Sequence, residues 1–356
     1  MTNMTEILRS DIFDIITDNN IPWDEFKDSV VLVTGATGLV GSAIVRTLAE
    51  ISKTLELNIR IMGHGRNKKR AEAITQEHDI DFICGDIRCP SHFAAIPDRL
   101  DFVFHCASVT KSYKMTQSPV DVLSTAIEGT KNIFELLKEN SCKSFIYLSS
   151  MEVYGQTELK EIVETDLGYL DLFDPRSSYP ESKRTCEMMC AAYAKQYGLP
   201  VKIARLAQTF GAGTPKEDTR VFAQFARSAI ANNDIKLHTE GKSRGNYCYI
   251  ADTVRGLLTV LLKGKNGEAY NLANPDASVT IREMAELIAN DICSGNIKVV
   301  VNVPEDIGIC CYAPDTGYVL NADKLKALGW YPKYGLAEMY KRLMADWEKS
   351  GIYNGF

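Results

Sequence analysis

The sequence predicts an α/β protein, a Rossmann-type doubly wound parallel sheet with a smaller C-terminal substrate lobe. Three observations lead there. Apolar runs alternate with helical stretches from Val30 onward, a glycine-rich turn Gly35-Ala-Thr-Gly38-Leu-Val-Gly41 follows the first run, and several runs are apolar without alternation. Unbroken apolar runs are what strands buried on both faces require. A βαβ series of this kind binds its ligands beyond the carboxyl ends of the strands.

Taken in order, residues 1–29 carry a helical pattern in Ile7, Leu8, Ile12, Phe13, Ile15 and Ile16, followed by the turn-like Asn19-Asn20-Ile21-Pro22-Trp23. They read as a helical extension preceding the nucleotide fold. The strands expected next are Val30–Thr34, Ile59–Met62, Asp81–Cys84, Phe102–Cys106, Ser144–Ser149, Val201–Leu206 and Ala269–Ala273. Residues 30–206 and 247–273 therefore form the dinucleotide-binding domain. Residues 207–246 and 274–356, rich in Gly, Pro and Asn loops with helices near Arg220–Asn232, Ile281–Ile292 and Leu336–Trp347, form the substrate lobe. No internal repeat interrupts this plan, which excludes a solenoid.

The 356 residues carry a net charge of −6, with 45% hydrophobic and 24% charged residues. An acidic chain without a basic stripe offers nucleic acid no electrostatic footprint. With no long apolar run and no signal-like N-terminus, a cytoplasmic, non-membrane protein is expected. The ten cysteines show no C-x-x-C pair or zinc-like spacing, so neither disulfides nor a metal is expected.

The chemistry-bearing residues follow the strands. The turn at Gly35, Thr37, Gly38, Leu39, Val40 and Gly41 lets backbone approach a pyrophosphate at a helix N-terminus. After the second strand, the carboxylate that accepts the ribose 2′-hydroxyl of NAD is missing. Gly65-Arg66 leaves room and charge for a 2′-phosphate, or Arg66 stacks on adenine; Lys68, Lys69 and Arg70 read equally as a solvated helix start. Asp86 and Ile87 follow the third strand, where a carboxylate can reach the adenine amino group or merely form a turn. Ser150 and Glu152 sit just past a strand end, facing the crevice. Tyr179 and Lys183, four apart on one helical face, supply a phenol and a cation that lowers its pKa.

With these residues in place, the chain resembles the extended short-chain dehydrogenase/reductase family over about residues 30–348, specifically its NAD(P)-dependent nucleotide-sugar epimerases, dehydratases and decarboxylases. The glycine turn, Gly85-Asp86, His105-Cys-Ala107-Ser108, the segment Ser150 to Gly155, Tyr179/Lys183 and Leu328 to Pro332 fall in the family's order. The resemblance implies NAD+ or NADP+ as a tightly bound cofactor, touched by Arg66, Asp86, Ile87, Ala107, Ser108, Tyr179 and Lys183 as well as the glycine turn. It makes Tyr179 the acid/base, Lys183 its partner, Ser150 the holder of the sugar hydroxyl and Glu152 a second base.

Arg220 and Lys236 match a substrate-binding pair of the UDP-glucuronate decarboxylase-like branch by type and spacing, and Gln208 and Arg244 are further substrate contacts. Departures are Gln208 and Ala126 in place of asparagines, Arg244 shifted by one position, Met151 in place of an acid usual in dehydratases, and Tyr312 in place of the decarboxylases' arginine. The expected activity is transient C4 oxidation of a nucleotide sugar leading to epimerisation or elimination, in surface-polysaccharide precursor synthesis. A NADPH-dependent reductase and a decarboxylase are the alternatives. A homodimer built on helices near Val120–Lys138 and Pro180–Tyr197 is also implied.

Overall fold

In the computed structural model, residues 4–97, 99–303 and 315–349 are described; Cys310, Cys311 and Tyr312 lie outside them. Helix α1 (Glu6–Ile16) is started by Thr5, whose hydroxyl accepts from the Leu8 N–H at 3.2 Å. A short turn at Trp23–Phe26 then leads into β1 (Val30–Thr34), α2 (Leu39–Thr54), β2 (Arg60–Gly65), α3 (Lys68–Glu77), β3 (Asp81–Cys84) and β4 (Phe102–His105). The series continues through α4 (Ser112–Gln117), α5 (Pro119–Glu139), β5 (Ser144–Ser150), β6 (Glu161–Ile162), α6 (Ser178–Tyr197), β7 (Val201–Leu206) and β8 (Gln208–Phe210). The remainder is α7 (Val221–Ile230), β9 (Ile235–Leu237), β10 (Arg244–Tyr249), α8 (Ile250–Lys263), β11 (Ala269–Leu272), β12 (Asn274–Thr280), α9 (Ile281–Leu287), β13 (Val299–Val301), β14 (Val319–Leu320), α10 (Asp323–Lys326) and α11 (Leu336–Lys349).

Seven parallel strands form the main sheet in the order β11-β7-β5-β4-β1-β2-β3. The chain runs outward from β1 through β2 to β3, then returns to β4 on the other flank of β1. That reversal opens a crevice at the carboxyl ends of β1 and β4. β5 is buried along its whole length, as the unbroken apolar run requires. One core cluster packs the sheet against α2 and α8 through Ile44, Leu48, Leu257 and Leu261, and runs on to Met339, Leu343 and Trp347 of α11. The other packs the opposite face against α5 and α6 through Ile133, Phe134, Cys186 and Cys190.

Two findings differ from the sequence reading. Residues 207–246 were expected as loops and helices, yet β8, β9 and the first residues of β10 lie there, and β8 and β10 join β12 in a three-stranded sheet. Strands of three to seven residues contributed by separated segments leave no local pattern. The helix expected over Ile281–Ile292 is α9 followed by a π turn at Ile288–Ile292. Its start is legible: Thr280 and Glu283 form a reciprocal capping box.

The N-terminal extension braces the back of the fold. Asp11, only 3% exposed, accepts from Arg342 at 2.5 Å and from the Tyr249 hydroxyl at 2.7 Å. Asp18 pairs with Arg255 at 2.9 Å, and Asp14 accepts from the Tyr334 hydroxyl. Buried carboxylates are tolerated only with such partners. Asp346 completes the brace by accepting from Thr5 and from the Gly213 N–H at 2.8 Å, which ties α1 and α11 to the loop after β8.

Candidate active site

A cavity of about 1060 Å³ occupies the crevice and extends from the glycine turn to the β8–β10 sheet. The turn at its floor is built for close backbone approach. Gly35 has φ +66°, and a Cβ there would lie 2.8 Å from the Ala107 nitrogen. At Gly41 a Cβ would meet the Gly35 carbonyl oxygen at 2.3 Å. Gly38 caps α2 without a side chain, leaving the helix N-terminus facing the cavity, whose lining also includes Thr37, Leu39 and Val40. This cradle fits a dinucleotide pyrophosphate. Gly41→Ala is expected to weaken dinucleotide binding by about tenfold or more, or about 1.4 kcal/mol, as measured by isothermal titration calorimetry.

Behind the turn, a neutral hydrogen-bonded rail fixes the ends of β1 and β4. The Ala107 N–H donates to the Thr34 hydroxyl at 3.2 Å, Thr34 Oγ1 meets His105 Nδ1 at 2.8 Å, and His105 Nε2 meets Thr130 Oγ1 at 3.1 Å. Burial holds the His105 pKa down near 3, so its ring is uncharged at working pH. Ala107 and Ser108 thereby become a fixed cavity wall.

Ser150 ends β5, and its hydroxyl accepts from the Glu152 N–H at 3.2 Å, starting the short turn Met151–Tyr154. Tyr179 stands in the first turn of α6. The sequence sets that helix up: Asp174 accepts from the Arg176 N–H at 2.9 Å and Pro175 opens the preceding turn. Met115 and Val122 pack on the phenol ring, which is 7% exposed. Burial pushes the Tyr179 pKa well up, and the Glu152 carboxylate adds to this; the Ser150 hydroxyl, Arg220 and Arg176 pull it down. Ser150, Glu152, Tyr179 and Lys183 all line the same cavity.

Lys183, 3% exposed, donates to the Leu148 carbonyl at 2.6 Å, and its ammonium lies 5.8 Å from the Tyr179 ring centre. It faces the phenol across a gap rather than bonding to it. Burial lowers its pKa from 10.5 to about 8, so the ammonium is lost as pH rises through that value. If Lys183 acts as a cation, kcat/KM falls above about pH 8, with a basic limb attributable to its deprotonation. A pH–rate profile flat to about pH 10 would contradict that role.

Gln208, Arg220 and Arg244 border the substrate end of the cavity. Arg220 is ion-paired to Asp218 at 2.6 Å and lies over the Phe222 ring, while Arg244 donates to the Ser278 carbonyl at 2.6 Å. Arg66 and Ile87 border the opposite end. Two of the expected residues are not on the wall among the described residues. Lys236 is the exposed middle residue of β9, between buried Ile235 and Leu237. Strand alternation turns it away. Asp86 is engaged by Arg88, which donates from Nη2 at 2.8 Å and from Nε at 3.1 Å, lowering the carboxyl pKa to about 2.

Arg176 is a site residue that the sequence reading missed. Its Nη1 donates to Glu152 Oε2 at 3.0 Å, and both side chains border the cavity. No spacing rule links residues on an irregular turn and a helix entry; only its place three residues before Tyr179 hinted at it. His64 was also missed. It is buried at the cavity edge with both ring nitrogens unpartnered by protein, and burial lowers its pKa to about 4.

Comparison with known proteins fits this geometry. The sequence profile of the NAD dependent epimerase/dehydratase family matches residues 31–273. The chain is 29% identical over 340 residues to dTDP-D-glucose 4,6-dehydratase of Bos taurus, covering 94% of this chain and 92% of that one. It is 27% identical over 309 residues to UDP-glucuronic acid decarboxylase 3 of Arabidopsis thaliana, covering 86% of each. These two branches stand at nearly equal distance, so overall identity gives the decarboxylase branch no advantage. In fold, the chain superimposes on the UDP-glucose 4-epimerase of Thermotoga maritima with a TM-score of 0.77 at 23% identity, covering 90% of this chain and 99% of that one. The chain belongs to the NAD dependent epimerase/dehydratase family.

Proposed function

We propose that the protein is a redox-neutral nucleotide-sugar epimerase or dehydratase. The observation that carries this reading is the convergence of Ser150, Glu152, Tyr179 and Lys183 on the cavity that begins at the glycine turn. When bound, the nicotinamide dinucleotide supplies a reversible oxidation at sugar C4. The chain supplies everything else. Tyr179 takes the proton of the 4-hydroxyl, and Ser150 donates to the same oxygen as it becomes a carbonyl. The C4 ketone acidifies the neighbouring C5–H, and Glu152 removes that proton; in a dehydration the proton leaves with the C6 hydroxyl as water, in an epimerisation a proton returns to C5 on the opposite face, and in both the hydride taken from C4 goes back to the sugar. Arg176 fixes the Glu152 carboxylate in place. Arg220, Arg244 and Gln208 line the end of the cavity where a nucleotide diphosphate would lie. The relatives named above are a nucleotide-sugar dehydratase and a nucleotide-sugar decarboxylase, which supports the substrate class.

Incubating the protein with a nucleotide-sugar panel in deuterated water, without added reductant, tests the reading. Conversion of one sugar with deuterium entering at C5 is the expected result. Turnover only with stoichiometric NADPH consumption would replace it with the reductase reading, and loss of carbon dioxide would replace it with the decarboxylase.

The setting we propose is cytoplasmic synthesis of surface-polysaccharide precursors. No helix among the described residues is long and apolar enough to cross a membrane. We also propose a homodimer through α5 and α6. Met189 packs on the core beside α5, whereas Met188 is 69% exposed on the outer face. Met188→Glu is therefore the informative variant: its mass in solution is expected to fall to that of the monomer, and an unchanged dimer mass would place the interface elsewhere.

A further inference from the structure

The end of the cavity beyond the glycine turn is bordered by Gly65, Arg66, Asn67 and Arg70. In sites that prefer NAD, a carboxylate at the end of the second strand accepts the adenosine ribose 2′-hydroxyl. Here β2 ends in Gly63-His64-Gly65 and is followed by Arg66. A Cβ at Gly65 would lie 3.0 Å from the Thr37 hydroxyl, so glycine keeps the space beside the turn open. Arg66 is half exposed on the cavity wall, and its ion pair, to Asp86 Oδ2, is 4.0 Å long. Both oxygens of that carboxylate are already taken by Arg88.

A second guanidinium points the same way. Arg70, one turn into α3, borders the cavity and donates to the Thr37 carbonyl at 3.3 Å, placing its charge over the glycine turn. Asn67 caps α3 at this point by accepting from the Arg70 N–H at 3.0 Å. The positive end of the α3 dipole therefore faces the same space as both arginines. Lys68 and Lys69 add to the field, since four of the five residues from Arg66 to Arg70 are cationic. His64, between the two glycines, is turned by strand alternation to the other face, where its ring packs on Phe93 at 5.2 Å between centroids, so no bulky side chain of β2 enters the space beside Thr37.

We infer that this end is a 2′-phosphate subsite formed by Arg66, Asn67 and Arg70 beside Gly65, and that the resident cofactor is the 2′-phosphorylated dinucleotide, NADP(H), rather than NAD(H). The inference rests on the dinucleotide reading of the cavity given above. Charge-assisted bonds from two guanidiniums to a dianionic phosphate account for the preference.

The test is calorimetric titration of the cofactor-stripped protein with NADP+ and NAD+, and with 2′,5′-ADP against 5′-ADP. NADP+ is expected to bind at least about tenfold tighter than NAD+, an advantage that shrinks with added salt. The variant Arg66→Ala/Arg70→Ala is expected to lose that advantage, its NADP+ affinity falling at least about tenfold more than its NAD+ affinity. Equal or tighter NAD+ binding by the unaltered protein would overturn the subsite and leave the proposed reaction standing. Failure of both dinucleotides to bind would overturn the subsite and the dinucleotide reading together. Arg66→Lys separates charge from misfolding: a folded variant with an unchanged circular dichroism spectrum and a residual preference for NADP+ supports the subsite. Loss of preference in that variant with Arg70 intact would count against a purely charge-based site.

Discussion

Tyr179→Phe is expected to cut turnover by about 10²- to 10⁴-fold, the range for losing a general acid–base group, while dinucleotide affinity stays nearly unchanged. The phenol ring is packed by Met115 and Val122 and remains so in phenylalanine, which removes only the oxygen. In the proposed reaction that oxygen, on the cavity wall beside Ser150, exchanges a proton with the sugar 4-hydroxyl. Burial alone drives the phenol toward its neutral form, so its use as a base depends on nearby positive charge from Arg176, Arg220 and the oxidised nicotinamide. Calorimetry separates binding from turnover. Retention of more than about a tenth of the activity would remove Tyr179 from the mechanism.

Glu152→Gln is expected to reduce turnover by about 10²-fold or more and to abolish solvent exchange at C5. Gln matches Glu in size and keeps an oxygen to accept from Arg176, which holds Glu152 at 3.0 Å. What it lacks is a basic oxygen able to take a carbon-bound proton. Binding of the nucleotide sugar therefore survives while the proton step fails. The measurement is nuclear magnetic resonance detection of deuterium at C5 after incubation in deuterated water. Exchange at an undiminished rate would mean that another group, or none, removes that proton, and Glu152 would become a substrate contact only.

How much of this was legible in sequence depends on how local each feature is. The parallel strands stood out because burial on both faces makes runs such as Val30–Thr34 and Ser144–Ser150 apolar throughout. The glycine turn and the Tyr179–Lys183 pair are short, periodic patterns, and both sit on the cavity wall. Features made by distant residues were not legible. Arg176 meets Glu152 across a loop, Asp11 meets Arg342 from the other end of the chain, and β8 joins β10 and β12 only in three dimensions.

Lys236 illustrates the opposite failure. It matched a family pair by residue type and spacing, but β9 buries Ile235 and Leu237 and so turns the lysine to solvent. Asp86 is a different case: Arg88, two residues on, donates to both of its oxygens and so fixes the carboxylate beside Arg66 at the end of β3. Spacing identifies candidates, whereas strand alternation and nearby counter-charges decide which of them reach the cavity.

The central claim is that oxidation and its reversal occur on one bound sugar without net cofactor consumption. A crossover experiment tests it most directly: a substrate deuterated at C4 is mixed with unlabelled substrate carrying a ¹³C-marked ring, and both products are analysed by mass spectrometry. Deuterium kept on the sugar skeletons that brought it, with none passing to the ¹³C-marked product, is the expected result. Deuterium lost to the free nicotinamide pool, or found on the marked ring, would contradict the account.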